Sequence, residues 1–148
     1  MPKFPADPVV VRQAYQKFDV FVRKSEIDGH GVFAAEMIPP RLKIGEMRGE
    51  AISCTEGRRR AASLHRIMIV EISQRTAIDA STGTDAMRFT NHSCQANARL
   101  AIIGGRIEFY AIRAIAPGEE ITLDYGEEYF DLFIKPLGCR CKACVRKK

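Results

Sequence analysis

Three cysteines lie within six residues near the C-terminus, at Cys139, Cys141 and Cys144. In a reducing compartment, thiols this close together favour a metal site over disulfide bonds. A structural zinc ion normally has four protein ligands, so this cluster is one ligand short. The other two cysteines of the chain are Cys54 and Cys94. One of them must come close to the C-terminus to complete a zinc site, and this ties the end of the chain to a distant segment.

A polar stretch, Arg88–Asn97, contains Cys94 and lacks the hydrophobic period of an ordinary helix or strand. A second unusual segment is Leu123-Asp124-Tyr125-Gly126, about thirty residues further along the chain. We expect these two segments and the C-terminal cysteines to meet in space and to form one active site.

The length of 148 residues predicts one domain, which is large enough to bury a hydrophobic core. No apolar run reaches the roughly 18 residues of a membrane span, and the N-terminus lacks the core of a signal peptide. The sequence therefore predicts a soluble intracellular protein that needs no membrane. No pattern in the sequence indicates the oligomeric state.

The net charge of +5 is unevenly distributed. Six acidic residues lie between Pro117 and Asp131, and this segment has no Lys or Arg. A basic protein often meets nucleic acid, but an acidic segment of this kind suits a basic peptide. A short basic run at Arg58-Arg59-Arg60 is more typical of a solvated helix face than of a nucleic-acid site.

Many short apolar runs and few helical patterns predict a β-rich domain made of several small sheets. Residues 9–18 fit either a short helix or a strand, and Thr55 is a candidate cap for a helix that ends at Ser63. Gly104-Gly105 predicts a two-residue hairpin turn, because both central positions of a type I′ turn need positive φ. The pattern favours strands over 18–22, 32–35, 44–52, 67–72, 76–78, 99–103, 106–112 and 120–125.

Four motifs, in this order, resemble the SET-domain protein lysine methyltransferases over about Val20 to Cys144. The motifs are Gly29-His30-Gly31-Val32-Phe33-Ala34, then Arg88-Phe89-Thr90-Asn91-His92-Ser93-Cys94, then Gly118-Glu119-Glu120-Ile121-Thr122-Leu123-Asp124-Tyr125-Gly126, and last Cys139-x-Cys141-x-x-Cys144. A Gly-x-Gly pair alone is weak evidence for this family, whereas all four motifs in the correct order are strong evidence. The chain departs from the family in the tighter spacing of the last two cysteines, in Gln95-Ala96, and at Met68, where many members carry a tyrosine.

The resemblance implies a mainly β (β-rich α+β) SET fold of several small curved sheets with a knot-like C-terminal crossing. A short post-SET zinc segment would follow. The implied division is an N-terminal extension at 1–17, a SET domain at 18–131 and a post-SET tail at 132–148.

The resemblance also implies an activity, that of an S-adenosylmethionine-dependent protein-lysine N-methyltransferase acting on a basic, histone-like peptide. Direct nucleic-acid binding would not be required. The location would be the nucleus or chromatin in a eukaryote, and the cytoplasm, or a host nucleus, for a bacterial or viral protein. One alternative is a non-catalytic SET-like peptide-binding module, and a weaker one is a small basic zinc protein that binds nucleic acid. A Rossmann-type methyltransferase is disfavoured, because the Gly-rich turn and the βαβ alternation are missing.

Site residues follow from the same resemblance. Tyr125 would be catalytic and would also contact the cofactor, and Leu123 would line the substrate channel, where an aliphatic side chain favours di- or trimethylation. Cys94 would join the three C-terminal cysteines around one structural zinc, which leaves Cys54 as a small apolar residue. The remaining residues implied to bind S-adenosylmethionine are Asp28, Gly29, His30, Gly31, Asn91 and His92. Glycines at 29 and 31 would let the backbone approach the cofactor closely.

Overall fold

The computed structural model of the chain describes residues 9–11, 15–63 and 68–145, and its strands form three small sheets. The first sheet is antiparallel and consists of β1 (Val9–Val11), β2 (Val20–Lys24) and β3 (His30–Ala34). The second is also antiparallel, with β7 (Thr76–Asp79) between β5 (Glu50–Ser53) and β6 (Ile69–Glu71). The predicted β-rich fold of small sheets is confirmed.

The third sheet has five strands and carries the functional segments. Its members are β4 (Lys43–Met47), β8 (Asn91–His92), β9 (Ala98–Ile103), β10 (Arg106–Ala111) and β11 (Thr122–Leu123). The strands lie in the order β4, β10, β9, β11, β8. The hairpin of β9 and β10 turns at Gly104 and Gly105, with φ of 57° and 76°, so the predicted turn is confirmed.

The hydrophobic core is built from side chains of the first and third sheets and the loops between them. Val20 and Val32 come from the first sheet, and Ile44 and Phe109 come from the third. Strands β3 and β4 each bury four consecutive residues, so both of their faces are covered where the first and third sheets meet the core. The cysteines lie outside this cluster, although Cys54, Cys139 and Cys141 are buried elsewhere.

The helices are few and short. Helix α1 (Cys54–Ala61) packs against the second sheet, and a 3₁₀ turn (Ala86–Phe89) precedes β8. The chain after Gly126 forms α2 (Glu127–Tyr129), a π-helical segment (Phe130–Ile134), a 3₁₀ turn (Lys135–Leu137) and α3 (Lys142–Val145). Within the described residues, no helix has the length and apolar character to cross a membrane.

The predicted single strand over 44–52 is wrong, because the chain leaves one sheet and enters another at Arg48-Gly49. The backbone N–H of Arg48 donates to the Asp85 carboxylate at 2.6 Å instead of to a neighbouring strand. At Gly49 the backbone passes so close to β7 that a Cβ would lie 2.1 Å from the Asp79 carbonyl oxygen. A tertiary contact therefore ends the strand.

Several element boundaries also differ from the prediction. The cap of α1 is Ser53, whose hydroxyl accepts from the Glu56 N–H at 3.1 Å, and not Thr55. The predicted strand over 120–125 shortens to Thr122–Leu123. Residues 9–11 of the ambiguous first element form a strand, while 12–14 and Ile67 lie outside the described residues. The strand predicted from residue 18 begins at Val20.

Strand β11 is held between β8 and β9, parallel to both, by the side chain of Asn97. The Asn97 Nδ2 donates to the Glu120 carbonyl at 2.8 Å, and its Oδ1 accepts from the Thr122 N–H at 2.9 Å. Asn97 is 2% exposed, so these bonds replace those that a longer strand would make. This amide therefore fixes the segment that leads into Tyr125.

Replacing Asn97 with alanine is expected to lower the free energy of unfolding by about 1–3 kcal/mol, because a buried carbonyl and a buried N–H lose their partners. Urea denaturation measures this change. The matched control is Gln95→Ala, which removes an exposed amide two residues away and should stay within about 0.5 kcal/mol of the wild type. Equal stability of both variants would contradict the role given to Asn97.

Candidate active site

A cavity of about 440 Å³ lies where the predicted functional segments meet. One wall is the loop at Ile27 and Asp28, and a second is formed by Asn91, His92 and Tyr125. The third wall comes from the segment between Ile134 and Arg140, which carries the first of the C-terminal cysteines. This volume falls within the roughly 300–1,000 Å³ that is typical of small-molecule sites.

Asn91 connects two walls of the cavity. Its side-chain nitrogen lies 3.0 Å from the Asp28 carbonyl oxygen, 3.1 Å from the His30 carbonyl oxygen and 3.0 Å from Oε2 of Glu120. An amide nitrogen has two hydrogens, so all of its donor capacity is directed at the protein. The amide oxygen is therefore the atom that Asn91 can offer to a ligand.

His92 connects the tyrosine segment to the cysteines. Its Nδ1 accepts from the Tyr125 backbone N–H at 3.0 Å, and its Nε2 lies 3.4 Å from the Cys94 sulfur. Because a backbone N–H can only donate, Nδ1 carries no proton, and the neutral ring holds its hydrogen on Nε2. Burial lowers the pKa of His92, against the opposing charge of Asp124, and this agrees with a neutral ring.

Tyr125 is held at both its backbone and its hydroxyl. The hydroxyl donates to the carbonyl oxygen of Thr90, which is itself buried. The ring packs edge-on against His92, with centroids 5.4 Å apart, and against Tyr129, with centroids 5.2 Å apart. Since the hydroxyl hydrogen points at Thr90, the phenol oxygen can act towards a substrate only as a hydrogen-bond acceptor.

Four cysteine sulfurs converge beside the cavity, those of Cys94, Cys139, Cys141 and Cys144, and all lie within 4.8 Å of one another. The Cys94 sulfur is 3.6 Å from that of Cys144 and 4.0 Å from that of Cys139. A tetrahedral zinc ion with Zn–S distances of about 2.3 Å needs sulfurs about 3.8 Å apart. The thiols are free, and the cluster has the composition and spacing to bind a metal ion.

The protein environment already favours charge on one of these sulfurs. Burial opposes ionisation of Cys141, but hydrogen bonds from the backbone N–H groups of Cys94 and Cys144 and from the thiols of Cys139 and Cys144 together lower its pKa to about 6. Burial raises the pKa of Cys139 to about 11 and also raises that of Cys94. Metal binding would therefore release protons from this cluster.

Cys54 lies apart from the cluster, at the first position of α1, where its thiol donates to the Ser73 carbonyl oxygen at 3.4 Å. The tight Cys141-x-x-Cys144 spacing is accommodated by α3, whose single turn brings the last sulfur back towards Cys94. Of the two candidates for the fourth position, the structure places Cys94 beside the C-terminal cysteines.

The loop residues predicted to bind the cofactor contribute unequally. Asp28 lines the cavity, Gly29 has a positive φ of 44°, and His30 offers its carbonyl to Asn91. Gly31 faces the protein and not the cavity, since a Cβ there would lie 2.3 Å from Oε2 of Glu120. The group that comes close to the Gly31 backbone is thus the Glu120 side chain.

Leu123 is buried in β11, between β8 and β9, and belongs to the hydrophobic core. It is not among the described residues that line the cavity. Its role in a substrate channel stays a prediction.

Several residues at the site carry no signal in the sequence that would single them out. Thr90 acts through its backbone carbonyl, and Glu120 acts at the junction of three segments. Arg140 lines the cavity opposite Asp28, and the two side chains pair at 3.4 Å. Tyr129 and Phe130 also pack at the site, against Tyr125 and His92. For these two residues the sequence does give a signal, because two aromatic side chains follow Tyr125 within an acidic segment.

Residues 29–126 match the SET domain family. The chain is 32% identical over 140 residues to the histone-lysine N-methyltransferase Set2 of Drosophila melanogaster. This alignment covers 88% of the chain and 6% of that protein. It is 36% identical over 118 residues to the histone-lysine N-methyltransferase set9 of Emericella nidulans. That alignment covers 78% of the chain and 18% of the protein.

A solved structure of a humanized mutant of the Chaetomium thermophilum Polycomb Repressive Complex 2 superimposes with a TM-score of 0.61 at 32% identity, over 72% of this chain and 15% of that chain. This chain therefore spans a fifth or less of the length of these proteins. The family match covers most of the residues and includes the segments that build the cavity, and the chain belongs to the SET-domain family.

Proposed function

We propose that the chain is an S-adenosylmethionine-dependent protein-lysine N-methyltransferase that acts on a basic, histone-like peptide. The observation that carries this proposal is the position of Tyr125 in the cavity wall, with its hydroxyl hydrogen directed at Thr90 and its N–H bound by His92. The relatives named histone-lysine N-methyltransferases support the same reaction. Residues 18–131 would form the SET domain and 132–148 a zinc-binding tail, after an extension at 1–17. The nucleus is the expected location.

The cavity is chemically suited to the cofactor. Ile27, Ile134 and Leu137 offer apolar surface for an adenine ring, and the amide oxygen of Asn91 offers an acceptor. The paired charges of Asp28 and Arg140 match the zwitterionic amino-acid end. When bound there, S-adenosylmethionine supplies a methyl group on a sulfonium, which an amine can attack directly.

The main chemical difficulty lies with the lysine substrate, whose side-chain pKa is about 10.4 in water. Near pH 7 only about one lysine in 10³ to 10⁴ is neutral, a deficit of about 4–5 kcal/mol. A nearby positive charge and the removal of water both lower the pKa of the incoming amine. The proton can then leave to water, so the site needs no strong base.

The remaining task is to orient the neutral amine. The phenol oxygen of Tyr125 accepts one amine hydrogen, and the Thr90 carbonyl keeps the phenol from rotating away. Fixing the nitrogen lone pair towards the methyl group reduces the barrier through orientation alone. The edge-on rings of Tyr129 and His92 keep the Tyr125 ring in place.

The four cysteines are suited to a structural zinc ion, because all four positions are filled by protein sulfur and none is left open for substrate. Such an ion would join the tail to β8 through Cys94. Cys139 belongs to both the cluster and the cavity wall, so this junction would hold the third wall in position.

A test of the proposed activity combines two measurements on the same protein. Isothermal titration should show binding of S-adenosylmethionine, and labelled methyl transfer to core histones should yield methyl-lysine. Mass spectrometry of that product also counts methyl groups, and a product that stays monomethylated would contradict the expectation for Leu123. Peptide binding without cofactor binding would instead support a non-catalytic module.

The acidic residues around Tyr125 motivate the basic substrate. Asp124, Glu127 and Asp131 are exposed on the segment that follows β11. The basic run on α1 is instead partly neutralised by its neighbours, since Arg58 pairs with Glu71 at 2.8 Å and Arg60 with Asp79 at 2.8 Å. This arrangement favours a basic peptide over nucleic acid.

Replacing Asp124, Glu127 and Asp131 together with Asn, Gln and Asn is expected to raise the KM for a histone peptide about 3- to 150-fold, because each of three exposed pairs contributes about 0.2–1 kcal/mol. Steady-state kinetics at low salt measures the change, and the wild-type advantage should shrink as salt rises. The control is neutralisation of Glu36, Glu50 and Glu71, which are exposed on other segments. A similar KM increase in the control would contradict the acidic site.

A further inference from the structure

We infer that Glu120 is a positioning residue of the cofactor cavity, whose carboxylate joins Asn91 to the loop Ser25–Gly31 and so sets the affinity for the cofactor. This inference rests on the proposed function for its ligand, S-adenosylmethionine. The interaction it describes, however, lies within the protein.

Three segments that are distant in sequence meet at the Glu120 carboxylate. The Ser25 hydroxyl lies 2.9 Å from each carboxylate oxygen, and the Asn91 side-chain nitrogen donates to Oε2 at 3.0 Å. The Ser25 oxygen in turn accepts from the backbone N–H of Ile27 at 2.9 Å. Glu120 is thus connected to both the loop wall and the Asn91 wall of the cavity without lining the cavity itself.

The backbone around Glu120 prevents the carboxylate from moving away. Glu120 forms an antiparallel bridge with Phe33 of β3. Next to it, the Ile121 N–H donates to the Val32 carbonyl at 2.8 Å, and the Ala34 N–H donates to the Glu119 carbonyl at 3.0 Å. The side chain occupies the space beside Gly31, where a Cβ would be 2.3 Å from Oε2. A larger residue at 31 would displace the carboxylate from Asn91.

The charges that face Glu120 come from two other elements. Burial raises the pKa of Glu120, and the hydrogen bonds from Asn91 and Ser25 and the positive charges of Lys142 on α3 and Arg23 on β2 offset this only in part. An ionised carboxylate only accepts hydrogen bonds, which suits the two donors that point at it. Without this acceptor, Asn91 would keep only the two loop carbonyls as partners.

A role in stability alone predicts a different kinetic result. A variant that merely unfolds more readily loses active molecules, so kcat falls while the KM for the cofactor is unchanged. A variant with a misplaced Asn91 keeps kcat at saturating cofactor and raises the KM for the cofactor, and the KM for the peptide stays constant.

The experiment compares Glu120→Ala and Glu120→Gln with Glu119→Gln as the matched control. Glu119 is the adjacent carboxylate, but it pairs with Arg113 at the surface. Titration with S-adenosylmethionine should show about 10-fold weaker binding for Glu120→Ala, a smaller loss for Glu120→Gln, and a change within about twofold for Glu119→Gln. Equal affinity of wild type and Glu120→Ala would overturn the inference.

A second measurement does not depend on cofactor binding. The hydrogens of the Asn91 side-chain amide should exchange with water at least about 10-fold faster in Glu120→Ala than in the wild type, as seen by NMR. If Glu120→Ala does not fold, Ser25→Ala removes one link of the same chain and should speed this exchange to a smaller degree. An unchanged exchange rate in the folded variant would overturn the inference. If the Asn91 exchange accelerates as expected but the wild type binds no S-adenosylmethionine, only the proposed function is overturned.

Discussion

Replacing Tyr125 with phenylalanine is expected to lower kcat for methyl transfer about 10²- to 10³-fold, while the affinity for S-adenosylmethionine stays within about twofold. The variant would lose the oxygen proposed to accept a hydrogen from the substrate amine, a loss of about 2.7–4 kcal/mol in the transition state. The ring keeps its packing against His92 and Tyr129, since these contacts use no hydroxyl. Single-turnover kinetics with a labelled methyl donor measures the effect.

The matched control is Tyr110→Phe. It removes a hydroxyl of the same kind, which donates to Glu108 at 2.7 Å on β10, outside the cavity wall. Its kcat should equal that of the wild type. A folded Tyr125→Phe protein with wild-type kcat would show that the amine is oriented by another group.

Replacing Cys94 with serine is expected to remove bound zinc and to lower kcat/KM at least about 100-fold. The metal would lose one of four sulfur ligands, and structural zinc sites contribute about 10–16 kcal/mol in small domains. Without the proposed ion, the tail would no longer be joined to the segment after β8, and Cys139 and Arg140 would no longer hold the third wall of the cavity. Elemental analysis gives the metal content, and limited proteolysis after residue 131 reports release of the tail.

The control for this prediction is Cys54→Ser, which changes a buried thiol far from the cluster and keeps a donor for the Ser73 carbonyl. It should retain one zinc per chain and full activity. The folded β-sheet signal in circular dichroism should persist in both variants, because none of the cysteines belongs to the hydrophobic core. A Cys94→Ser protein that keeps its zinc and its activity would refute the tie between tail and active site.

The small-sheet fold and the family were both predictable from the sequence. Gly104-Gly105 determines its turn through the local demand for positive φ, and the structure has that turn. The order of the four motifs was sufficient to predict the SET family, which the match over residues 29–126 confirms. These features depend on neighbouring residues or on linear order, and both can be read from the chain alone.

At Gly49 and Gly31, where distant segments touch, the prediction failed or was silent. The strand over 44–52 ends at Gly49 because the carbonyl of Asp79 lies against it, thirty residues away in sequence. Residue 31 has no room for a side chain, because the Glu120 carboxylate fills the adjacent space. Neither partner can be identified from local patterns, since Asp79 acts through a backbone carbonyl that every residue has, and Glu120 is one of 18 acidic residues in the chain.

The sequence by itself determined the chemical groups of the site, namely an amide and an imidazole at 91 and 92, a phenol at 125 and four thiols. Only the tertiary structure decided how they act together. The parallel pairing of β8 with β11 places the Tyr125 N–H on His92, the Thr90 carbonyl orients the phenol, and Glu120 holds Asn91 against the loop. The physical reason is that hydrogen bonds and sulfur contacts act over about 3–4 Å, so their partners are chosen by the packing of strands and not by proximity in sequence.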